Sequence, residues 1–370
     1  MKQEQIRILQ CVSNMDRAGI ETMLMNFYRN IDKSKVQFDF LCNKLKPGDY
    51  DDEIKSLGGK IYVSPGLNPF KWFKYQKYMK NLFNNHPEYK IIHCQNEAMG
   101  FPALYAAKKA GVPVRISHSH NTLTRFDFKW PIKILYKYLL RTVATDYVAC
   151  GEDAGKYLFG KKVKIIHNAI DTDKFKYSEE KRIKLRKKYK ITDKFVIGHV
   201  GRFEPQKNHE FLIDLFYEYS KMNEKAILLL IGTGSLFYKI KEKVEKLGLS
   251  EKVIFTGSID NVNEMYNVMD LFVLPSLHEG LPVVGIEAQY SGLKCLFSTK
   301  VTRECNIGKY AEFIELSNKE KWLNSISEYH KNFISREKIC DSITTNDYDI
   351  KTATHNLVEF YFNLKDKESK

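Results

Sequence analysis

Short runs of apolar, β-branched residues alternate with helix-length segments along the whole chain, a pattern that predicts parallel sheets assembled from strand–helix–strand units. Before residue 176 the runs are IRILQCV (6–12), FDFLC (38–42), KIYV (60–63), IIHC (91–94), VRISHS (114–119), DYVAC (146–150) and KIIH (164–167). A charged stretch, KYSEEKRIKLRKKYKITDK (176–194), follows, in which Ser178 ahead of Glu179 and Glu180 reads as the N-cap and first turn of a linking helix. A second set then begins: FVIGHV (195–200), AILLLIG (226–232), VIFTG (253–257), LFVLP (271–275), KCLFS (294–298) and EFIEL (312–316). The expectation is two Rossmann-like α/β domains, 1–175 and 176–350, facing across a cleft. The tail TATHNLVEFYFNL (352–364) has helical apolar spacing and predicts a helix over about 351–370, able to pack on either domain and assigned here to the first.

At 370 residues the chain is too long for one ordinary core, which agrees with two domains. With 43% hydrophobic and 13% aromatic residues it has enough apolar surface to fold. No apolar run approaches the roughly 18 residues of a membrane span, and MKQEQIRILQCVS lacks the features of a signal peptide, so a cytoplasmic location is expected. The seven cysteines are odd in number and widely spread with no CxxC pair, which predicts buried thiols rather than disulfides or a zinc site.

Charge narrows the partners. The formal net charge is +14, and residues 1–175 hold 28 Lys+Arg against 17 Asp+Glu. Such a field suits nucleic acid, an anionic membrane or a phosphorylated substrate. No nucleic-acid recognition module is visible, which sets that partner aside.

Phosphate chemistry has a specific candidate. HEGLPVVGIEAQYSG (278–292) follows a strand, so it lies at a strand's carboxyl end, where open α/β sheets bind ligands. Pro282 suits a first helical position and Gly292 a helix stop, which predicts a helix from about Pro282 to Ser291 whose free first-turn N–H groups can receive a diphosphate. Glu279 in the loop and Glu287 in the second turn make sense beside that anion if they face hydroxyl groups, one on a sugar and the other on a ribose. GRFEPQKNHEF (201–211) follows another strand, and its Arg202 and Lys207 can neutralise a leaving diphosphate without a metal. GTGSL (232–236) has Phe237 where a dinucleotide fingerprint would have its third glycine.

GRFEPQKN, FTGSIDNVNEMYNVMDLFVLPSLHEGLPVVGIEAQYSG and STKVTRE, in this order and spacing, resemble the donor half of glycosyltransferase family 4, the retaining GT-B enzymes that use nucleotide sugars, and within it the capsular and exopolysaccharide group. The resemblance implies that Arg202 and Lys207 bind the diphosphate, Glu279 contacts the transferred sugar and Glu287 holds the ribose. It also implies that Gly280, Leu281, Pro282 and Val283 line the phosphate turn, with Asn261 and Val262 near the base. In the amino half, SNMDRAGIETML (13–24) puts Gly19 before an apolar helix, where backbone can approach the donor phosphate; the family more often pairs glycines there, and here Ala18 replaces one. SHSHNT (117–122) offers His118 and His120, which alternation allows to face one side. The family directs one such histidine at the transferred sugar; His120, followed by Asn121, is preferred and His118 kept beside it. His93 in IIHCQNE reads as structural or acceptor-side.

The resemblance implies a UDP-sugar donor, a lipid-linked saccharide acceptor and no cofactor. Asp171 and Asp173 spell a DTD motif but head into the linker, so they read as caps or surface acids, and no metal is expected. In KWPIKILYKYLLR (129–141) the cations recur every four positions beside an apolar face of Ile132, Leu135, Tyr136 and Leu139, which suits an anionic bilayer surface; PFKWFKYQKYMKNLF (69–83) is a less regular second candidate. Peripheral attachment at the inner face of the cell membrane is therefore expected. A non-catalytic nucleotide-sugar sensor of the same fold is the alternative, and the intact set of Arg202, Lys207, Glu279 and Glu287 weighs against it.

Overall fold

The computed structural model describes residues 5–121 and 129–368. Two compact units emerge, one from the described residues up to Ile170 together with those from Asp347 onward, the other from Asp171–Asn346. The first unit holds β1 (Ile6–Val12), β2 (Val36–Cys42), β3 (Ile61–Val63), β4 (Ile91–Cys94), β5 (Val114–Ser119), β6 (Asp146–Ala149) and β7 (Lys164–Ile165). The second holds β8 (Phe195–Val200), β9 (Ala226–Ile231), β10 (Val253–Gly257), β11 (Leu271–Leu274), β12 (Lys294–Ser298) and β13 (Ala311–Ile314).

The sheet orders are β3-β2-β1-β4-β5-β6-β7 and β10-β9-β8-β11-β12-β13. The paired strands run parallel, as they must when helices connect them. Helices then cover both faces, so the strands are buried on both sides, and β2, β8 and β9 are buried at every position. This is why their sequences read as unbroken apolar runs. In each sheet the order reverses once, between β1 and β4 and between β8 and β11. Loops leaving those strands diverge and leave a crevice at their carboxyl ends.

Alternation along β1 sends Ile6, Ile8 and Val12 to one face and Leu9 and Cys11 to the other. The first face packs on the helix Gly19–Asn30 and on the C-terminal helix Ile350–Glu368, whose Ile350, Ala353, Leu357, Tyr361 and Leu364 join that core. The opposite face takes Tyr75, Met79, Leu82 and Phe83 from the helix Trp72–Asn85, together with Tyr136 and Leu140. Six of the cysteines are buried and Cys340 is half-buried, all as free thiols.

The helix 129–141 was expected to offer its apolar face to a bilayer, and the structure corrects this. Tyr136 is buried with its ring against Phe101, and Ile132 and Leu139 pack on the core of the first unit, so most of that apolar face is already covered by the protein itself. Of its large apolar side chains Leu135, Tyr138 and part of Trp130 remain exposed.

In the second unit the linking helix Glu179–Lys188 is capped as its sequence predicts, with Ser178 Oγ accepting from the Lys181 amide. Its Arg182 and Arg186 converge on the buried Asp270 carboxylate, which also accepts from the Val196 amide at 2.7 Å. The acid thus ties the linker to the start of β8. Removing one partner of a buried charge group strands the others. Asp270→Ala is expected to destabilise the second unit by about 3–5 kcal/mol, read from its denaturant midpoint.

Candidate active site

The loops after β8 and β11, which flank the reversal in the second sheet, carry the predicted donor residues. Lys207 Nζ lies 2.6 Å from Glu279 Oε1, with side chains only 17% and 9% exposed. Gln206 Nε2 donates to Glu279 Oε2 at 3.3 Å and to the His278 carbonyl at 2.9 Å, lacing the two loops together. The structure therefore brings Lys207 and Glu279 into one ion pair rather than leaving a lone cation and a lone acid. The Arg202 side chain is exposed and makes no hydrogen bond or ion pair to another described residue, so its guanidinium is left uncommitted, while its carbonyl accepts from the Glu204 amide at 2.7 Å.

Two features hold this loop in shape. Asn208 adopts a left-handed backbone (φ 55°) while its side chain donates to the Pro275 carbonyl at 3.2 Å. The GTGSL turn packs against the same segment: a Cβ on Gly234, at φ 158°, would stand 2.7 Å from Phe203 backbone atoms. Close packing of loop on loop, rather than a fingerprint, accounts for that glycine.

The helix after Glu279 spans Val283–Tyr290, one residue later than expected. Pro282 stands at the N-cap with extended backbone (φ −74°, ψ 104°), and its carbonyl accepts from the Gly285 amide. Gly280 and Leu281 lead into it, Leu281 being buried, and the Val283 and Val284 amides, at the start of the helix, have no intrahelical acceptor. Gly292 ends the helix at φ 70° with Arg336 backbone against it. Glu287 is partly buried and accepts from Tyr266 Oη at 2.6 Å. Burial raises its carboxyl to about 7, against the lowering effect of that bond. Tyr266 directly follows the short helix Val262–Met265, which Asn261 precedes with its amide on Glu264 Oε2.

Asp171 and Asp173 pair with Lys174 and Lys176 at 3.2 and 2.7 Å, as surface acids do.

In the first unit a cavity of about 430 Å³ opens at the reversal between β1 and β4. Val12 and Ser13 line it from one strand end, Gln95, Asn96 and Glu97 from the other, and Lys44, Lys129 and Lys133 add positive charge. Gly19 begins the helix Gly19–Asn30 without strain, and a Cβ there would meet nothing within 4 Å, so packing within this unit does not demand a glycine.

His118 and His120 do face one side: their rings stack with centroids 4.0 Å apart. His93 joins them, with Nε2 3.1 Å from His118 Nδ1. Burial pushes all three toward the neutral form, His93 and His120 down to about 3 and His118 well below its ordinary value.

Glu97 was missed by sequence reasoning. Its backbone is left-handed (φ 53°), unusual for this residue type. Its carboxylate accepts from the His120 amide at 2.6 Å and from Asn121 Nδ2 at 3.1 Å. Such strain persists only where surrounding structure imposes it, and here Glu97, itself in the cavity wall, braces the histidine segment through those bonds. The available signal was its position, two residues beyond Gln95 at a strand's carboxyl end. Burial raises Glu97 to about 7 despite the bonds from His120, Asn121 and Ser119.

Both glutamates bind protons more tightly folded than unfolded. Their contribution to stability is therefore complete below the ordinary carboxyl range and is lost as pH rises from about 4.5 through about 7. Glu97→Gln and Glu287→Gln are each expected to flatten the melting temperature against pH across that window.

The family description "Glycosyl transferases group 1" matches residues 181–340, and "Glycosyltransferase Family 4" matches 17–174. A putative glycosyltransferase of Bacillus subtilis, EpsF, is 38% identical over 319 residues, 83% of each chain. An Escherichia coli protein named UDP-Gal:alpha-D-GlcNAc-diphosphoundecaprenol alpha-1,3-galactosyltransferase is 22% identical over 94% of each chain. The crystal structure of Anabaena Alr3699/HepE in complex with UDP superposes with a TM-score of 0.80 at 17% identity, covering 97% of this chain and 100% of that one, a likeness of fold. With Rossmann-like units of seven and six parallel strands, the GT-B architecture, and these matches along both, the chain belongs to the family 4 glycosyltransferases.

Proposed function

We propose that the chain transfers a sugar from a UDP-sugar to a hydroxyl of a lipid-linked saccharide, with retention and without a metal, in cell-surface polysaccharide synthesis. The observation that carries this reading is the Lys207–Glu279 pair beside the exposed Arg202 at the reversal of the second sheet. It is further supported by the UDP-linked donor and diphosphoundecaprenol acceptor in the name of the Escherichia coli relative.

In this reading the diphosphate meets Arg202, Lys207 and the amides from Val283 onward, which stabilise the charge that develops as the sugar departs. Glu279, held by Lys207, orients sugar hydroxyls; a carboxylate already paired to an ammonium is a poor nucleophile, which favours departure and attack on one face of the sugar. Glu287 takes the ribose, with Asn261 and Val262 toward the base. His120, with His118 behind it, addresses the transferred sugar, and Gly19 leaves room for backbone to approach the donor.

The acceptor's sugar and charged groups suit the lysine-bearing cavity between β1 and β4. A small apolar crevice lined by Trp72 and Pro102 shares Leu67 and Met99 with that cavity, which makes the cavity's rim apolar on that side. Beside it Phe70 and Phe73 are 98% and 87% exposed, flanked by exposed Lys71, Lys74, Lys77 and Lys80. Bare aromatics among cations suit an anionic lipid surface, so this segment, rather than 129–141, is the proposed contact with the inner face of the membrane. Among the described residues no helix is long and apolar enough to cross it.

Arg202 is the cleaner probe of the donor site, because truncating Lys207 would also strand Glu279. Arg202→Ala is expected to weaken UDP-sugar binding about tenfold to a hundredfold in titration calorimetry, with activity in both forms insensitive to EDTA. Equal affinity in the two proteins would remove the diphosphate assignment.

Flotation with vesicles rich in anionic lipid should recover the wild type at low salt and much less of the Phe70→Ala, Phe73→Ala double variant. Identical recovery would dismiss the proposed lipid contact.

A further inference from the structure

Alternation sends Gln10 of β1, His93 of β4 and His118 of β5 to the face that also carries Ile8, Ile91 and Ile116. The C-terminal helix covers that face, and its fully buried Tyr361 places one hydroxyl between two of these groups. Tyr361 Oη lies 2.7 Å from His93 Nδ1 and 3.1 Å from Gln10 Nε2. Two hydrogen-bonded arms start there. One runs from His93 Nε2 to His118 Nδ1 at 3.1 Å. The other runs from Gln10 Oε1 to Gln95 Nε2 at 2.9 Å, and from Gln95 Oε1 to His120 Nε2 at 2.7 Å. Each arm ends on a buried ring nitrogen with no partner among the described residues, His118 Nε2 and His120 Nδ1.

A hydroxyl has a single proton to donate, and this couples the arms. When Gln10 donates to Tyr361, the phenol donates to His93 Nδ1; His93 then carries its proton on Nε2 and donates to His118, which is left with Nε2–H as the free end of the arm. On the second arm Gln10 Oε1 accepts from the Gln95 amide, so Gln95 Oε1 faces His120 and takes its Nε2–H, leaving Nδ1 as a bare lone pair. Turning the phenol over reverses every bond, both amides flip, and all three rings carry the proton on Nδ1. In either polarity the rings share one tautomer, and the two free ends are opposite in kind. Burial keeps all three imidazoles neutral near pH 7, so the tautomer is what the site presents.

We propose that Tyr361 is a positioning residue that locks His118 and His120 into one shared tautomer, so that the pair always offers one N–H donor and one lone pair. Sugar hydroxyls, each both donor and acceptor, are the ligand groups that such a pair matches. The inference rests on the reading above that these histidines act at the sugar. Tyr361 reaches them from the far end of the chain and touches no substrate.

The test is ¹⁵N-histidine NMR of the full chain, in which protonated and bare ring nitrogens are resolved without any substrate. In the wild type His93, His118 and His120 are expected to show the same tautomer. Tyr361→Phe keeps the ring that packs edge-on against Phe38 and so should retain the melting temperature. In that variant His118 and His120 are expected to become tautomer mixtures, while kcat for sugar transfer falls about twofold to tenfold at unchanged donor KM. Opposite tautomers in the wild type, or pure and unchanged tautomers in Tyr361→Phe, would overturn the coupling. Shared tautomers in a protein that transfers no sugar would instead overturn the transferase reading and leave the coupling standing.

Discussion

A lysine ammonium 2.6 Å from a carboxylate, both largely withdrawn from water, is the interaction on which the proposed donor site depends. Either charge alone would be costly at that depth, and together they can be held where the order of the sheet reverses. Glu279 offsets part of the ammonium's charge, so in the proposed donor site Arg202 and the helix amides join Lys207 in attracting the diphosphate. The pair also holds the loops after β8 and β11 together, which sets where the helix Val283–Tyr290 begins relative to Glu279.

The first unit solves a different electrostatic problem. Its crevice, at the corresponding reversal, has Gln95 and Glu97 in its wall, and these two hold the buried His120 behind it. Burial drives the imidazoles neutral and Glu97 toward the protonated form, leaving hydrogen-bond direction as the information the site carries. Direction is set by partners, here two glutamines and a tyrosine that no local pattern connects. The strained Glu97 backbone lies at this reversal as the left-handed Asn208 lies at the other, each turning a side chain back to brace a neighbouring loop.

Family membership and fold constrain the chemistry to glycosyl transfer, and the identity of the groups at each crevice suggests how the labour is divided. Cations and amide dipoles belong to the second unit; neutral hydrogen-bonding rings and a lysine-bearing cavity belong to the first. The exposed Phe70 and Phe73 lie next to that cavity because the helix Trp72–Asn85 spends its other face, Tyr75, Met79, Leu82 and Phe83, on the core.

All thirteen runs read as strands from the sequence are strands, because parallel strands buried on both faces must be apolar throughout, and that leaves a local signature. Ends were less legible: KIIH contracts to Lys164–Ile165 at a sheet edge, and Pro282 caps its helix instead of opening it. Arg202, Lys207, Glu279 and Glu287 could be singled out by residue type at strand ends. Their pairing could not, since Lys207 and Glu279 are 72 positions apart and meet only because β8 and β11 are neighbours. The inward face of the helix 129–141, the brace from Glu97 and the reach of Tyr361 to His93 across 268 positions were likewise decided by tertiary structure. Periodicity and residue chemistry are local properties and specify elements and candidate groups; which groups touch follows from strand order, which a single chain's pattern does not encode.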